Sequence, residues 1–334
     1  MNIGVIGAGS WGTALANLLA SQGVHAVTLW AYEPDLVERM RTTGENDLFL
    51  PGFFLSPTLE FTTDLRAVVV DKDLLLLVSP SQVMRSVVQQ IRGGIPSDTI
   101  IVSAAKGIEN NTLLTMSQVL REVLPAACHS HLAVLSGPSF AKEVAAGMPT
   151  AVVAAAADHE VAVGVQQAFS TATFRVYSNN DVLGVELCGA LKNVMALAAG
   201  VSDGLGFGYN TRAALITRGL AEMTRLGMAL GAEATTFAGL AGMGDLVLTC
   251  TGDLSRNRSV GMALGQGKTL DEILAGMKMV AEGVKTTLSA YQLAAKHGVE
   301  VPIIEQMYNI LYEQKDPQAA VAELLAREPK PEVS

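Results

Sequence analysis

A glycine-rich loop directly after the first apolar run restricts the fold of this chain more than any other feature. Gly7, Gly9 and Gly12 form a G-x-G-x-x-G pattern between an apolar run at residues 2–6 and a helix-like segment at 13–20. In this context the first glycine permits a tight turn, the second lets backbone approach a pyrophosphate, and the third allows close helix–strand packing. The helix N-terminus adds free N–H groups and positive potential. The pattern predicts a dinucleotide-binding fold, although a glycine-rich turn without a ligand has the same spacing.

Short apolar runs alternate with longer helix-like segments over about the first 180 residues. This alternation predicts a Rossmann-type, doubly wound parallel sheet with helices on both faces. Several runs are apolar at every position, as parallel strands buried on both faces require. The predicted strands are residues 2–6, 26–30, 73–78, 99–103, 131–135, 150–155 and 174–177.

The composition changes after Asn179, where Ala, Leu, Met and Gly at helical spacing replace the β-branched runs. A chain of 334 residues exceeds the usual size of a single core, so two domains are expected. We predict a dinucleotide-binding domain at 1–180, an all-helical substrate-binding and catalytic domain at 181–327, and a flexible tail at 328–334.

Charge, cysteine content and the N-terminus narrow the class of protein. The 23 basic and 32 acidic residues give a formal charge of −9, which opposes binding to nucleic acid or anionic lipid. Cys128, Cys188 and Cys250 lie far apart, form no C-x-x-C pair and predict reduced thiols without a metal site. No secretory signal is visible, and the longest apolar stretch, 182–201, carries polar residues near its middle. A cytoplasmic protein without stable membrane insertion is expected.

The end of the second predicted strand bears on the choice between NAD(H) and NADP(H). An acidic residue there binds the ribose hydroxyls of NAD, whereas basic residues accept the 2′-phosphate of NADP. Glu33 lies slightly late for that role, and Arg39 and Arg41 follow on the next helix. Glu33 equally fits an ordinary first-turn residue favoured by the helix dipole. The sequence excludes neither cofactor.

Polar segments follow three of the predicted strands, at residues 79–81, 104–107 and 136–139. Ligands of open α/β sheets bind outside the carboxyl ends of the strands, although Ser, Gly and Pro are also common turn residues. Lys106 is the most informative of these residues because a cation beside a glycine at this edge can meet an anionic substrate. The alternative is a solvated surface lysine.

Lys192 is the only cation in the apolar stretch at 182–201, on a helix too apolar to face solvent. An unpaired ammonium in low dielectric is destabilised and its pKa is lowered, so a partner or a function is expected to retain it. Reduction of a ketone develops negative charge on oxygen, which a nearby ammonium stabilises and protonates. A structural ion pair with Glu186 is the alternative. Two roles fit Asn193 equally: it orients an oxygen, or it simply caps the break in the apolar character of the helix.

Two further segments in the second half carry candidate site residues. Asp245 lies between glycine turns and an apolar run, where a buried carboxylate would position the lysine ammonium. Residues 255–258 offer the guanidinium of Arg256 and the neutral donors of Ser255 and Asn257, a set suited to phosphate. Each segment also has an explanation that needs no site. Asp245 fits an ordinary turn residue, and residues 255–258 fit a helix start with Ser255 as N-cap and exposed arginines.

Taken together, these segments resemble the bacterial NAD(P)-dependent sn-glycerol-3-phosphate dehydrogenases, with NADP(H) or NAD(H) as cofactor. The resemblance extends from Met1 to about Arg327 and is specific because six motifs occur in the family's order. The motifs lie at residues 7–13, 105–108, 136–143, 189–193, 241–245 and 255–258.

The resemblance implies roles for individual residues. Lys192 looks like the family's proton acceptor, with Asp245 and Lys106 beside it. The positions implied for the glycerol phosphate are Lys106, Gly137, Ser139, Lys192, Asn193, Asp245, Ser255, Arg256 and Asn257. The positions implied for the cofactor are Gly7, Gly9, Ser10, Trp11, Gly12, Tyr32, Lys106, Ala141, Arg256, Val280 and Glu282.

The resemblance also implies a cytoplasmic homodimer that supplies glycerol phosphate for phospholipid synthesis. Tyr32 stands where many members carry a basic residue, which argues against a strict NADPH preference. Two alternatives remain on the sequence. One is a 3-hydroxyacid dehydrogenase of similar architecture, in which Arg256 would bind a carboxylate. The other is a non-catalytic dinucleotide-binding regulator, which would need neither Lys192 nor Asp245.

Overall fold

Eight strands form one sheet in a computed structural model that describes residues 1–277, 281–329 and 331–332. The strands are β1 Asn2–Ile6, β2 Ala26–Trp30, β3 Leu59–Thr62, β4 Leu74–Leu77, β5 Ile100–Ser103, β6 Leu132–Ser136, β7 Thr150–Ala156 and β8 Phe174–Asn179. Their spatial order is β3-β2-β1-β4-β5-β6-β7-β8. Because β2 and β4 flank β1, the direction of winding reverses there and a crevice opens beyond the carboxyl end of β1.

The predicted doubly wound sheet is confirmed, with two differences in detail. Strand β7 pairs with β6 in the antiparallel sense, whereas every other pair is parallel. Strand β3 was not predicted, because it has only four residues and buries little beyond Leu59. A short edge strand carries too little apolar pattern to stand out in the sequence.

Helices cover both faces of the sheet. They are α1 Ser10–Ser21, α2 Pro34–Thr43, α3 Met84–Ile91, α4 Met116–Val123, α5 Ala141–Ala145 and α6 His159–Phe169, with 3₁₀ turns at Ser81–Val83 and Ala126–His131. Strand β4 is apolar throughout because both of its faces are buried. Leu74 and Leu76 pack into one core, whereas Leu75 and Leu77 pack into the core on the opposite face of the sheet.

The described residues after Asn179 form helices and no strand, as predicted. They are α7 Val182–Gly204, α8 Tyr209–Ala229, α9 Ala234–Phe237, α10 Asp245–Thr251, α11 Arg256–Gly265, α12 Leu270–Ala275, α13 Glu282–His297, α14 Pro302–Tyr312 and α15 Pro317–Leu325, with a π-helical turn at Leu240–Gly244. Helix α7 is the central one, since α8, α10, α11 and α13 all pack against it.

Helix α7 is long and apolar enough to cross a membrane, yet 89% of its apolar window is buried inside the protein. Among the described residues it is the single helix with this length and composition. Burial by its own neighbours marks it as a core helix, which explains its hydrophobic sequence without a lipid environment.

Candidate active site

Three charged side chains from distant parts of the chain meet between the sheet and helix α7. Lys192 lies in the middle of α7, Lys106 follows strand β5, and Asp245 begins α10. Asp245 Oδ1 accepts a hydrogen bond from Lys192 Nζ at 2.7 Å, and Oδ2 accepts one from Lys106 Nζ at 2.7 Å. The Lys192 and Asp245 side chains are 7% and 2% exposed. We call these three residues the charged cluster.

A distorted helical turn brings Asp245 into this cluster. The residues before it, Leu240–Gly244, form a π-helical turn, a feature that is frequent at functional sites. A Cβ on Gly242 would lie 2.0 Å from the carbonyl oxygen of Phe237, so only glycine fits there. Asp245 then occupies the first turn of α10, where the helix dipole favours a negative charge.

The surroundings of Lys192 lower the pKa of its ammonium. Thr249 Oγ1 donates to the backbone oxygen of Asp245 at 2.6 Å and accepts from Lys192 Nζ at 2.7 Å. Burial lowers the pKa of Lys192 to about 8, the charge of Lys106 acts in the same direction, and the charge of Asp245 opposes both. A group with this pKa can give or take a proton near neutral pH.

Asp245 remains charged despite its burial. Burial alone would raise the pKa of its carboxyl, but the ammonium groups of Lys106 and Lys192 outweigh that effect and lower the pKa below its ordinary value. The charged cluster therefore pairs one carboxylate with two cations while Lys192 is protonated. A net positive site suits a phosphorylated substrate and an oxygen that becomes negative.

Glu186 does not pair with Lys192, an ion pair that the sequence left open as an alternative. Its carboxylate accepts hydrogen bonds from the backbone N–H and hydroxyl of Ser117 and from the hydroxyl of Thr115. Burial raises the pKa of Glu186, because these neutral donors stabilise a charge less than a cation would. Glu186 ties α7 to the start of α4.

Lys106 also contacts the loop after strand β6. Its Nζ donates to the carbonyl oxygen of Gly137 at 3.1 Å, and Ser139 Oγ donates to the same oxygen at 3.0 Å. Gly137 has a φ of +140°, and a Cβ there would lie 2.9 Å from the Cα of Val152. The structure thus brings Lys106, Gly137 and Ser139 together, three residues that the sequence singled out separately.

An amide chain connects three helices beside the charged cluster. Asn257 Nδ2 donates to Asn193 Oδ1 at 2.9 Å, and Asn257 Oδ1 accepts from the backbone N–H of Gly283 at 3.0 Å. Asn193 Nδ2 donates to the carbonyl oxygen of Gly189 within its own helix at 3.3 Å. Both asparagines are buried, so this chain fixes the starts of α11 and α13 against α7.

The N-terminus of α11 presents a cation beside this amide chain. Ser255 is the N-cap, and its side chain accepts from the backbone N–H of Arg258 at 3.2 Å. Arg256 is the first residue of the helix. Desolvation by the surrounding atoms lowers the pKa of its guanidinium, and the charge of Glu282 only partly opposes that effect. A helix N-terminus with an arginine is well suited to bind an anion.

The glycine-rich loop has the geometry that a pyrophosphate needs. Gly7 has a φ of +116°, and a Cβ on Gly12 would lie 1.9 Å from the carbonyl oxygen of Gly7. A Cβ on Gly9 would meet nothing within 4 Å, so open space lies before the N-terminus of α1. These residues fit a dinucleotide, because the space and the N–H groups coincide.

Asn46 supports the loop from outside the glycine motif. Its Nδ2 lies 2.8 Å from both the carbonyl oxygen of Ala8 and Thr13 Oγ1, and its Oδ1 accepts from the N–H of Phe49. The side chain is fully buried. No local pattern in the sequence indicates its role at the loop, because Ala8 and Thr13 lie more than 30 positions away.

The other residues that the family resemblance implies for the cofactor lie on several elements. Ser10 Oγ donates to the carbonyl oxygen of Phe49, and Trp11 packs against the core of the sheet. Ala141 begins α5, which packs on α1. Val280 lies outside the described residues.

The end of β2 carries an aromatic side chain where a cofactor-selecting group is expected. Tyr32 is 79% exposed and makes an edge contact with Trp30. Arg39 pairs with Asp47, and Arg41 donates to the carbonyl oxygen of Phe61. The side chain of Tyr32 is therefore freely accessible from solvent.

Glu282 bridges the helices and the sheet. Its carboxylate accepts from the backbone N–H of Ser81 at 3.1 Å and from the Ser81 hydroxyl at 2.6 Å. A Cβ on Gly107 would lie 2.4 Å from that hydroxyl oxygen, so glycine makes room for the contact. Burial raises the pKa of Glu282 despite these hydrogen bonds.

Thr249 is the contact of Lys192 that the sequence did not single out. It lies four residues after Asp245 and therefore on the same face of α10. That spacing is a signal, but it becomes informative only once Asp245 is known to face Lys192.

Comparisons of this chain with family models and with known proteins agree on one family. The model described as the N-terminus of NAD-dependent glycerol-3-phosphate dehydrogenase matches residues 2–162, and the model of its C-terminus matches residues 181–322. The glycerol-3-phosphate dehydrogenase (NAD(P)+) of Syntrophotalea carbinolica is 65% identical over 333 residues, covering 100% of both chains. That of Geobacter sp. strain M21 is 64% identical, covering 99% of this chain and 98% of the relative.

A solved structure agrees with these sequence relatives. The crystal structure of glycerol-3-phosphate dehydrogenase from Coxiella burnetii superposes with a TM-score of 0.93 at 43% identity. The match covers 98% of this chain and 99% of the crystallised chain. The similarity thus includes the sheet, the helical part and their junction.

Proposed function

The chain belongs to the NAD-dependent glycerol-3-phosphate dehydrogenase family, and we propose that Lys192 exchanges the proton with the substrate oxygen in that reaction. The reaction interconverts sn-glycerol 3-phosphate and dihydroxyacetone phosphate with NAD(P)(H). The observation that carries the proposal is the burial of an ammonium whose pKa is about 8 and which is paired with Asp245. A 3-hydroxyacid dehydrogenase and a silent dinucleotide-binding regulator are not favoured by these relatives.

Proton transfer is the step that the residues of this chain perform. The nicotinamide cofactor, when bound, supplies or accepts the hydride at carbon 2 of the substrate. In reduction the Lys192 ammonium stabilises the developing negative charge on the carbonyl oxygen and donates a proton to it. In oxidation the neutral Lys192 amine takes that proton from the hydroxyl.

Asp245 and Thr249 hold Lys192 in position for this exchange. Each accepts one hydrogen bond from Nζ at 2.7 Å, which leaves the third donor of the ammonium for a substrate oxygen. Asp245 also raises the pKa of Lys192 against the effect of burial, so that a useful fraction stays protonated at neutral pH. Lys106 shares the carboxylate and adds positive charge.

The substrate phosphate is proposed to bind at the start of α11. Arg256 and the N-terminus of the helix supply positive potential, while Ser255 and Asn257 order the first turn. Lys106, Gly137 and Ser139 form a second hydrogen-bonded group, which Lys106 links to Asp245. Asn193 follows Lys192 in α7. These assignments follow the family resemblance and are supported by the hydrogen bonds that group the residues.

The cofactor is proposed to lie along the glycine-rich loop. Gly7, Gly9 and Gly12 shape the space for the pyrophosphate, and Tyr32 borders the ribose end. The further positions proposed for contact with the cofactor are Ser10, Trp11, Lys106, Ala141, Arg256, Val280 and Glu282. Both NADH and NADPH are expected to serve, because Tyr32 brings neither a positive charge that selects the 2′-phosphate of NADPH nor a negative charge that repels it.

The proposed cofactor and substrate sites divide the chain into two domains. We assign residues 1–180 to dinucleotide binding and 181–327 to the helical substrate-binding and catalytic domain, in line with the change from sheet to helices after Asn179. A cytoplasmic homodimer that supplies glycerol phosphate for phospholipid synthesis is the expected setting. Sedimentation analysis of the purified protein tests the dimer.

A steady-state assay tests the catalytic role. Wild-type protein should oxidise NADH or NADPH when dihydroxyacetone phosphate is added, as followed by nicotinamide absorbance. Lys192→Met keeps most of the apolar stem and removes the ammonium, so kcat should fall about 100- to 10,000-fold. Lys296→Met, on the exposed end of α13, is the matched control. Normal turnover by Lys192→Met would refute the role of Lys192.

A further inference from the structure

Helices α7 and α11 pack with their backbones in contact. Gly200 and Gly204 on α7 face α11, and Gly261 and Gly265 on α11 face α7. A Cβ added at any of these four glycines would lie 2.0 to 2.4 Å from a backbone oxygen of the other helix. Each pair is spaced by four residues, so each lies on a single helix face. The absence of side chains at these points fixes the distance between the two helices.

A buried ion pair joins the same two helices. Arg258 Nε donates to Asp203 Oδ2 at 2.7 Å, and the two side chains are 11% and 5% exposed. The other oxygen of Asp203 accepts from Arg212 of α8. Loss of Arg258 would therefore leave the Asp203 charge partly compensated.

This helix pair carries both halves of the proposed site. Helix α7 holds Lys192 and Asn193, whereas α11 begins with Arg256 and Asn257. Arg258 is two residues from Arg256, so its ion pair lies within the first turn that presents the phosphate-binding side chains. The position of Arg256 relative to Lys192 depends on how firmly α11 is held.

We propose that Asp203 and Arg258 are positioning residues for the reaction, which set the spacing between the substrate phosphate at Arg256 and the proton donor Lys192. The proposal rests on the phosphate role given to Arg256 above. Phosphate and carbonyl belong to one small substrate, so a fixed span must separate the groups that bind them. A misplacement of about 1 Å in such a site can lower the rate about 100-fold.

The test compares a substrate that has the phosphate with one that lacks it. In Arg258→Gln, kcat/KM for dihydroxyacetone phosphate should fall about 10- to 100-fold, because the phosphate no longer aligns the carbonyl with Lys192. The much lower kcat/KM for dihydroxyacetone, measured at high enzyme concentration, should stay near the wild-type value. Arg258→Lys retains one charged donor for Asp203 and should recover part of the loss.

Arg212→Gln is the matched control for the ion pair. It removes the other partner of Asp203 without touching α11, so kcat/KM for dihydroxyacetone phosphate should remain close to that of wild type. Thermal unfolding of each variant establishes that the compared proteins are folded.

A glycine variant tests the backbone contact separately. Gly261→Ala places a Cβ 2.0 Å from the carbonyl oxygen of Leu197 and should reproduce the selective loss seen in Arg258→Gln. Gly93→Ala is its control, since a Cβ there meets nothing within 4 Å. If Gly261→Ala does not fold, Arg258→Gln decides the question by itself.

Arg256→Ala separates failure of this inference from failure of the proposed function. If Arg256→Ala leaves kcat/KM for dihydroxyacetone phosphate unchanged, the phosphate role and the inference are both wrong. The positioning role alone is overturned if Arg256→Ala is impaired selectively toward dihydroxyacetone phosphate while folded Arg258→Gln is not impaired. The same conclusion follows if Arg258→Gln lowers kcat/KM equally for dihydroxyacetone phosphate and dihydroxyacetone.

Discussion

Lys192 Nζ lies 2.7 Å from Asp245 Oδ1, although 53 residues separate the two in the chain. The second oxygen of the same carboxylate accepts a hydrogen bond from Lys106, which follows strand β5 of the sheet. One buried anion therefore orients both cations and sets the protonation of the residue proposed to exchange the proton.

The pH dependence of the two reaction directions should be opposite. Reduction requires the Lys192 ammonium, so its kcat/KM should fall as the pH rises through about 8. Oxidation requires the neutral amine, so its kcat/KM should rise over the same interval. If kcat/KM for both reduction and oxidation stays constant between pH 7 and pH 10, Lys192 is excluded as the titrating group.

Replacing Asp245 by Asn should lower activity and move this titration. The change removes the only charge in the cluster that raises the pKa of Lys192, so the inflection should fall below pH 8. Stranding two lysines should also cost about 3–5 kcal/mol of unfolding free energy. Asp271→Asn, at an exposed position on α12, is the control. An unshifted profile in Asp245→Asn would contradict the proposed coupling.

Two glycines of the nucleotide loop should respond differently to alanine. In Gly9→Ala the Cβ enters open space, so the melting temperature should stay unchanged while the Kd for NADH rises. In Gly12→Ala the Cβ lies 1.9 Å from the carbonyl oxygen of Gly7, so stability and binding should both fall. Calorimetric unfolding and NADH fluorescence titration measure the two effects. Unimpaired NADH binding by folded Gly9→Ala would count against the loop as the pyrophosphate site.

Tyr32 should control the choice of nicotinamide. Tyr32→Arg places a guanidinium at the end of β2, where a 2′-phosphate is expected, and should raise the NADPH/NADH ratio of kcat/KM about tenfold. Tyr32→Phe keeps the ring without adding charge and should leave the ratio near wild type. A ratio that Tyr32→Arg does not alter would place the 2′-position elsewhere.

The sequence was sufficient for the local parts of the structure. The glycine motif predicts the turn and the helix after it, because each depends on conformations of neighbouring residues. Seven of the strands are apolar on at least one face and were recognised from that pattern. Strand β3 has four residues and too little apolar pattern to be recognised. The antiparallel placement of β7 cannot be read from the sequence either, because the direction of a strand depends on a partner elsewhere in the chain.

Residue type and apolar context were also enough to single out Lys192, since a cation in such a helix is unfavourable without a partner. Only the tertiary structure decided which partner it has. Asp245 rather than Glu186 pairs with it, Thr249 completes its hydrogen bonds, and Arg258 joins the helix of the phosphate site to the helix of the lysine. Hydrogen bonds and ion pairs act over a few ångströms, and chain folding alone determines which distant residues come within that range.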